Sequence, residues 1–422
     1  MEYLKACQQI DPNDSHYKLI QSVVGEILED IQKRGEEAVR EYSEKYDHWS
    51  PANFRLNPNE IQTIAAQVPE YIVDDIRFAQ EQVRKFAEAQ RKALLDVEVE
   101  SLPGVTLGHK NIPIDSVGVY VPGGKYPLVS SVQMGVIPAK VAGVRRVVAC
   151  TPPNYGVPPA ATVAAMEMAG VDEIYILGGV QAIGAMAFGM ESMAAVDMIV
   201  GPGNAYVAEA KRQVFGKVGI DLLAGPSEVL VIADGGANPK VVAADLAGQA
   251  EHGTTSPACL LTTDAALVPK VEVELKKFMQ TLPSGKVIRS AWQHYGQIIL
   301  VDNISECLEV ANQLSYEHVE VLASNPEMYL AGLKNYGSLF LGPETTVPYG
   351  DMVIGTNHIL PTGRTARFSG GLWVGKFLKT VTYQRCTPEA SQIVGKYTSR
   401  LSELEGLWGH KAQADLRLVD DA

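Results

Sequence analysis

The chain has 422 residues, of which 46% are apolar and 20% charged, and its 36 Lys and Arg are outnumbered by 49 Asp and Glu. These fractions are typical of an ordinary globular protein, and the length suggests two to three domains. The net charge of −13, with no basic cluster, disfavours binding to nucleic acid. The longest uncharged stretch, residues 174–190, is interrupted by four glycines and is too short for a bilayer, so no membrane partner is expected.

The start of the chain and the cysteines indicate the cellular compartment. The first fourteen residues are charged and polar where a signal peptide needs an apolar core. The five cysteines are odd in number and far apart, which argues against a disulfide framework or a CxxC metal site. We therefore expect a cytoplasmic protein whose thiols stay reduced.

The first hundred residues predict helices. From Leu19 to Ile31, apolar residues recur every four positions, which is the spacing of one helical face. A second stretch, residues 74–95, is rich in Glu, Gln, Lys, Arg and Ala, which favour helix. We assign residues 1–115 to an N-terminal helical segment and expect it to pack with the second of two α/β lobes.

After about residue 105, apolar runs rich in β-branched residues alternate with Ala-rich helical segments. This pattern is typical of parallel sheets covered on both faces. The predicted fold class is α/β, with two doubly wound, Rossmann-like parallel-sheet domains at 116–227 and 228–370. VGVYVPGG and EVLVIADGG open the two blocks in a similar way. The predicted strands are 117–121, 145–150, 173–177, 197–201, 228–234, 258–263 and 297–302.

Residues 371–422 form the last predicted unit, which is helical and polar from Thr387. A unit this small cannot bury a core of its own. It is therefore expected to pack on the body of the protein or on a partner subunit.

A Gly-Pro-Gly-Asn turn at 201–204 follows an apolar strand and precedes a helix. Asn204 can cap that helix, the glycines let the backbone approach a ligand, and a helix N-terminus attracts phosphate. A plain tight turn leading into a helix explains the same residues. The usual dinucleotide, P-loop, hydrolase and zinc-protease motifs (GxGxxG after a strand, GxxxxGK[ST], GxSxG and HExxH) do not occur.

Gln249 and His252 lie three residues apart near the end of a predicted helix that starts at Asn238 and Pro239 and stops at Gly253. The partial negative charge of a helix C-terminus suits a cation. Two ligands do not make a zinc site, which needs about four. A histidine that ends a helix by bonding to its free carbonyl groups is the alternative interpretation.

Glu317 and His318 supply a carboxylate and an imidazole, which can move protons near neutral pH. Neighbouring strand residues point to opposite faces, so a shared site requires these two to lie at an irregular strand end. A purely structural pair is the alternative.

The Gly-rich stretch 349–371 contains Asp351, His358, Arg364 and Arg367, and loops with this many ionisable groups often face a site. His410, beside Glu405 near the C-terminus, would by itself be a surface histidine.

Together these motifs resemble the histidinol dehydrogenase family. The resemblance rests on the order and spacing of VGVYVPGG, GPGNAYVAEAKRQV, AGPSEVLVIAD, QAEH, EH, GTNHILPT and the Glu405–His410 pair, from about residue 15 to the end. Each motif alone is modest, but the ordered set is specific.

The resemblance implies two cofactors, Zn²⁺ and NAD, and a role for each motif. The implied zinc ligands are Gln249, His252, Asp351 and His410, and the implied catalytic pair is Glu317 and His318. The implied substrate contacts are Ser227, His358 and Glu405 together with the zinc ligands and His318, and the implied NAD contacts are Tyr120, Gln181 and Asn204.

The resemblance also implies a homodimer, in which residues 371–422 act as a dimerisation domain that donates His410 and Glu405 to the neighbouring site. The implied reaction oxidises a primary alcohol to a carboxylate in two hydride transfers through a bound aldehyde. His318 acts as the base, Glu317 activates water, and the metal chiefly positions the substrate.

Parts of the frame differ from the common biosynthetic form of that family. LSYEHVEV replaces an Ala-Pro-Glu-His-Leu run, and Arg364 and Trp373 stand where Gly and Ser are commoner. These features resemble the branch that includes sulfopropanediol 3-dehydrogenase. Since Arg364 beside the substrate would suit a sulfonate, the predicted substrate is a small anionic alcohol such as 2,3-dihydroxypropane-1-sulfonate, oxidised to sulfolactate. The alternative is L-histidinol, oxidised to L-histidine.

A non-catalytic paralogue that binds a metal or a nucleotide is the alternative from another class. It would be favoured by a missing ligand or base, but the four implied ligands and both catalytic residues are present.

Overall fold

The computed structural model describes residues 1–8, 15–123, 127–223 and 225–418. The N-terminal region contains more strand than the sequence predicts, because a hairpin follows the helices. Its elements are β1 (Glu2–Lys5), α1 (Ser15–Arg34), α2 (Glu36–Asp47), α3 (Pro58–Ala65), α4 (Glu70–Lys92), β2 (Val97–Leu102) and β3 (Val105–Pro113).

The N-terminal helices pack on the first α/β lobe, so the prediction that they pack with the second lobe is wrong for them. The buried stripe of α1, which includes Ile20, Val24 and Ile31, joins the same apolar cluster as Tyr175 of that lobe. Leu19, which was expected on this stripe, is 58% exposed because the stripe is displaced by one residue. Only β1 belongs to the second lobe, where it forms an antiparallel edge.

The first lobe is a five-stranded sheet with helices on both sides, in which every neighbouring pair of strands is parallel. The strand order is β6-β5-β4-β7-β8. Its elements are β4 (Ser116–Tyr120), α5 (Ser130–Ala142), β5 (Arg146–Thr151), α6 (Ala160–Ala169), β6 (Glu173–Ile176), α7 (Gly179–Phe188), β7 (Met198–Val200), α8 (Ala205–Val214) and β8 (Gly219–Ile220).

The second lobe is a six-stranded sheet of order β1-β11-β10-β9-β12-β13, parallel except at β1. Its elements are β9 (Val229–Ala233), α9 (Pro239–Ala250), β10 (Ala258–Thr262), α10 (Leu267–Thr281), α11 (Gly285–Tyr295), β11 (Gly296–Leu300), α12 (Ile304–Leu314), β12 (His318–Leu322), α13 (Pro326–Gly332), β13 (Ser338–Leu341) and α14 (Val347–Met352).

The two sheets have the same plan. In the first sheet, β4 lies between β5 and β7, and in the second, β9 lies between β10 and β12. In each sheet the chain therefore adds two strands on one side of the starting strand and then two on the other side. The seven predicted strands all occur, with bounds that differ by one or two residues. The α/β prediction with two doubly wound sheets is confirmed, and the correspondence between VGVYVPGG and EVLVIADGG holds because β4 and β9 occupy equivalent places.

A third, three-stranded antiparallel sheet joins distant parts of the chain. The C-terminal region consists of β14 (Leu378–Cys386), α15 (Pro388–Leu404) and α16 (Trp408–Asp415), and β14 pairs with β3 along nine residues of each strand. Residues 1–115 and 371–422 were expected to be helical, but both regions also contain strands. All six residues of β2 are exposed, so its sequence carries no burial pattern that would predict a strand.

The structure also bears on membrane-spanning helices and on the state of the cysteines. Within the described ranges, no helix is long and apolar enough to cross a membrane. Each of the five cysteines lies in the described part of the chain and is a free thiol.

Candidate active site

The three residues implied for NAD lie together in the first lobe. Tyr120 ends β4 and Asn204 follows β7, so both lie at the carboxyl ends of adjacent strands where the strand order reverses. Open α/β sheets bind ligands at this place. A cavity of about 610 Å³ lies there, and its lining includes Tyr120, Gln181, Asn204, Tyr46, Asp47, Pro152 and Tyr206.

The Gly-Pro-Gly-Asn turn both caps a helix and lines this cavity. The side chain of Asn204 accepts hydrogen bonds from the backbone N–H groups of Tyr206 at 3.0 Å and Val207 at 3.1 Å. Gly201 has φ of 120°, and a Cβ there would collide with the carbonyl oxygen of Tyr120. The turn is therefore pressed against β4, which a larger residue would prevent.

A buried ion pair holds the backbone of this turn. Lys211 donates to the carbonyl oxygen of Gly201 at 2.8 Å, and the N–H of Gly201 donates to Asp221 at 2.7 Å. Lys211 and Asp221 also bond to each other, and both are more than 90% buried. Since both polar groups of Gly201 are held, the shape of the turn depends on this pair.

Asp47, at the end of α2, is a cavity residue that sequence reasoning did not identify. Gln181 donates to its carboxylate at 2.8 Å, and burial raises the pKa of Asp47. No local motif marks Asp47, because its role depends on a contact that spans 134 positions of sequence.

In the second lobe, Glu317 and His318 lie at the amino end of β12, and His318 is its first residue. The irregular strand end that a shared site requires is therefore present. His318 Nδ1 lies 3.6 Å from the Glu317 carboxylate and 3.2 Å from the carbonyl oxygen of Glu228. Since a carbonyl oxygen only accepts, Nδ1 carries the proton and Nε2 is left as the basic nitrogen.

His318 Nε2 is buried, has no hydrogen-bond partner among the described residues, and lies 3.6 Å from Asp351. Burial lowers the pKa of His318, but Glu317 and Asp351 outweigh that effect and raise it to about 9. Burial raises the pKa of Glu317, although His318 opposes this.

Glu228 is a second buried carboxyl group at this site, and the sequence analysis did not identify it. Its backbone N–H donates to Glu317 at 3.0 Å, and its own side chain accepts from the N–H of Gly363 at 3.0 Å. Burial and the Glu317 charge raise the pKa of Glu228 to about 7. Ser227, predicted to contact substrate, hydrogen-bonds to Glu317 through its side chain.

His358 joins the two lobes. Its Nδ1 donates to the backbone oxygen of Asp351 at 2.9 Å, and its Nε2 lies 3.1 Å from the hydroxyl of Ser131 at the start of α5. Burial lowers the pKa of His358. Because the Asp351 backbone oxygen can only accept, Nδ1 carries the proton, and Nε2 can accept from the Ser131 hydroxyl. The carboxyl edge of the first sheet is thereby connected to the amino edge of the second.

Gln249 and His252 lie at the end of α9, which Asn238 caps as predicted by accepting from the Lys240 N–H at 3.0 Å. His252 Nδ1 lies 3.1 Å from the carbonyl oxygen of Gly248, as the helix-ending interpretation expects. The Gln249 side chain is 3% exposed, and neither of its amide atoms has a partner among the described residues.

These residues fit part of a metal site. Buried polar atoms normally have a hydrogen-bond or metal partner, so the unpartnered Gln249 amide indicates that its side chain binds a ligand or a metal ion. Across the ranges that the structure describes, no three His, Cys, Asp or Glu side chains cluster closely enough to hold a metal ion. One chain thus offers Gln249, His252 and Asp351, and a further ligand is needed.

Three predicted site residues are not brought to this cluster. Glu405 and His410 are exposed, at the end of α15 and in α16. Arg364 is exposed and donates to the carbonyl oxygen of Gln313 at 2.8 Å. The C-terminal end of α12 attracts its guanidinium in this chain, and its contact with substrate stays a prediction.

Comparison with known proteins gives a consistent result. The family model described as histidinol dehydrogenase matches residues 11–418. A "Histidinol dehydrogenase homolog" of Shouchella clausii is 59% identical over 96% of this chain and 95% of its own length. The "Sulfopropanediol 3-dehydrogenase" of Ruegeria pomeroyi is 44% identical over 99% of this chain and 96% of its own length. The crystal structure of histidinol dehydrogenase from Elizabethkingia anophelis is 35% identical, with a TM-score of 0.90 over 97% of this chain and 98% of that one.

Proposed function

Because the chain belongs to the histidinol dehydrogenase family, we propose that it oxidises a primary alcohol to a carboxylate in two NAD-dependent steps, with the aldehyde held between them. The observation that carries this proposal is the arrangement of His318. Its Nδ1 is fixed by the Glu228 carbonyl oxygen and its buried Nε2 is unpartnered among the described residues. An imidazole held in this way is suited to accept a proton.

Each residue of the pair has a distinct task. NAD supplies the hydride acceptor in each step, and the cavity at Tyr120, Gln181 and Asn204 is the proposed place for it. His318 takes the alcohol proton as the first hydride leaves, which gives the aldehyde. Glu317 takes a proton from water as the water oxygen bonds to the aldehyde carbon, and His318 returns its proton to the aldehyde oxygen, which gives a gem-diol and leaves His318 ready to act again. His318 then takes a diol proton as the second hydride leaves, which gives the carboxylic acid, and the acid loses its remaining proton to become the carboxylate.

We propose zinc as the metal, held by Gln249, His252 and Asp351 and by His410 of a second copy. A divalent ion there would supply positive charge that positions the substrate oxygen and offsets the Asp351 carboxylate. That offset matters for the base, because Asp351 is one of the groups that raise the pKa of His318 to about 9, and a ring with that pKa already carries the proton that it has to accept near neutral pH.

The surface of the C-terminal region supports a homodimer. Large apolar side chains are exposed along α15 and α16, among them Tyr397, Leu401, Leu404 and Trp408 at 59 to 81%. Exposed apolar surface of this extent marks an interaction site. We propose that a second copy covers it and contributes His410 and Glu405 to this chain's site.

The dimer proposal has a direct test. His318→Ala and His410→Ala variants are each expected to be inactive. When they are co-expressed, mixed dimers restore part of the activity, because each contains one site with both histidines. Failure of the mixed population to exceed either variant alone would contradict the shared site.

Two substrates are candidates. The first is 2,3-dihydroxypropane-1-sulfonate, which is supported by the sulfopropanediol relative. With Arg364 turned to Gln313, the sulfonate would depend on the metal ion and on the second copy for positive charge. The second is L-histidinol, a cation, and it is favoured by the buried carboxyl groups of Glu228, Glu317 and Asp351 around His318.

The assay supplies each alcohol, with NAD and zinc, and follows NADH formation. Turnover of the sulfonate with none of L-histidinol supports the first candidate, and the reverse supports the second. Glu317→Gln tests the two-step mechanism with the same readout. It should slow oxidation of the aldehyde far more than the first hydride transfer, and an equal loss at both steps would contradict the role of Glu317 as water activator.

A further inference from the structure

Beneath the candidate active site, two acidic side chains face each other in the interior. They are Asp245 of α9 and Glu320 of β12, and Glu320 is only 1% exposed. One oxygen of Asp245 accepts from the Thr346 hydroxyl at 3.1 Å, and one oxygen of Glu320 accepts from the Val347 N–H at 2.8 Å. The proposed chemistry uses neither acid.

The second oxygen of each carboxyl group is also buried and receives no donor from the described residues. The two side chains lie close enough for one carboxyl group, when it is protonated, to donate to the other. Two carboxylate ions only repel each other, whereas one retained proton would satisfy both unpartnered oxygens. Burial raises the pKa of both groups, and the Asp245 charge raises that of Glu320 further, which is consistent with a retained proton.

The pair connects α9, β12 and α14, the three elements that contain Gln249, His318 and Asp351. Asp245 lies one helical turn before Gln249 on α9, and residues four apart lie on the same side of a helix. Glu320 lies two residues after His318 on β12, and such residues point to the same face of a strand. Thr346 and Val347 start α14, which contains Asp351.

We propose that Asp245 and Glu320 share one proton and act as a positioning pair that fixes α9, β12 and α14 relative to one another, so that Gln249, His318 and Asp351 are held in one geometry. The proposal rests on the proposed function for the roles of those three residues. In this proposal the pair contacts neither substrate nor metal. Residues behind metal ligands commonly change metal affinity 10- to 100-fold when they are replaced.

The test compares Glu320→Ala, Glu320→Gln and Val321→Ala. Glu320→Ala removes the shared bond, whereas Glu320→Gln replaces the shared proton with an amide N–H that donates to Asp245. Val321→Ala is the matched control, because it shortens a fully buried side chain of the same strand that points to the opposite face. Zinc affinity is measured by competition with a chelator on full-length protein, and NAD affinity is measured in parallel.

We expect Glu320→Ala to weaken zinc binding about 10- to 100-fold. Glu320→Gln should restore affinity close to that of the wild type, and NAD affinity should not change in either variant. Val321→Ala should lower the melting temperature and leave zinc affinity unchanged. Wild-type zinc affinity in Glu320→Ala, or an equal loss in Val321→Ala, would overturn the proposal.

A second measurement needs no metal. Hydrogen exchange on metal-free protein should show faster exchange in residues 249–252 and 347–352 for Glu320→Ala than for Glu320→Gln. If the wild type binds no zinc, the proposed metal site is wrong, and this exchange pattern still decides whether the pair positions the elements. Should Glu320→Ala fail to fold, Asp245→Ala and Asp245→Asn form the same comparison from α9, and identical exchange in those two would overturn the proposal.

Discussion

The two large sheets have the same strand order but present their candidate sites at opposite edges. In the first lobe, Tyr120 and the turn at 201–204 lie at the carboxyl ends of β4 and β7. In the second, Glu317 and His318 lie at the amino end of β12, and Glu228 directly precedes β9. A shared topology therefore does not determine which edge carries chemistry, although the carboxyl edge is the usual one.

The two edges also differ in how they use buried charge. The first lobe pairs opposite charges, since Lys211 and Asp221 together hold the backbone of Gly201. The second lobe brings acids together, with Glu228 beside Glu317 and Asp245 beside Glu320. Opposite charges suit a fixed turn, whereas Glu228 and Glu317, whose pKa values are raised, suit a site that moves protons. The following changes test that difference.

The largest effect is expected for His318→Ala in the second lobe. Loss of a positioned general base typically costs about 10²- to 10⁴-fold in rate. Oxidation of both the alcohol and the aldehyde should fall by that factor, because His318 is proposed to act in both hydride steps. Steady-state kinetics with each compound are the measurement. NAD affinity is the control, and it should not change because the proposed NAD cavity lies in the first lobe and His318 lies in the second.

Lys211→Met should lower the free energy of unfolding and weaken the binding of NAD to the first lobe. Removing one partner of a buried ion pair typically costs about 3–5 kcal/mol, because the other charge is left unpaired. We expect a lower free energy of unfolding in urea and, in folded protein, a higher KM for NAD with the alcohol KM little changed. An effect on the alcohol KM as large as that on NAD would contradict a role confined to the first lobe.

Glu228 predicts a pH dependence of stability. Its pKa is raised to about 7 in the folded chain, so between about pH 4.5 and 7 the folded state binds more protons than the unfolded state. Its contribution therefore makes the free energy of unfolding fall as pH rises through that window, by on the order of 3 kcal/mol. Glu228→Gln lacks this titration and should gain stability relative to the wild type between pH 5 and 8. Parallel pH profiles for the two proteins in urea unfolding would refute the assignment.

The smallest effect is expected for Asn204→Ala. Loss of an N-cap side chain typically costs about 1 kcal/mol. Because Asn204 also lines the proposed NAD cavity, the KM for NAD should rise while the His318-dependent rate at saturating NAD is kept. Asn238→Ala, which removes the cap of α9, is a matched control that should lower the melting temperature without raising that KM.

Periodicity and apolar runs predicted seven strands of the two large sheets, because parallel strands buried on both faces have continuous apolar sequences. They did not predict β2, since all its residues are exposed, nor the docking of the N-terminal helices, since an apolar stripe does not name its partner surface. The resemblance located Glu317, His318, Gln249 and Asn204. Asp47, Glu228 and the Asp245–Glu320 pair were missed because long-range contacts alone give those acids their roles.

The pairing of β3 with β14 constrains the order in which the protein can be completed during its synthesis. Residues 105–113 must wait for residues 378–386, so the antiparallel sheet closes only when almost the whole chain has left the ribosome. Until then the edge of β3 is unpaired as well as that of β2, and the exposed Val99 and Leu107 make the hairpin vulnerable to aggregation. The core of the first lobe also buries Leu372, Val374 and Phe377, so that lobe too is completed only shortly before β14 is made.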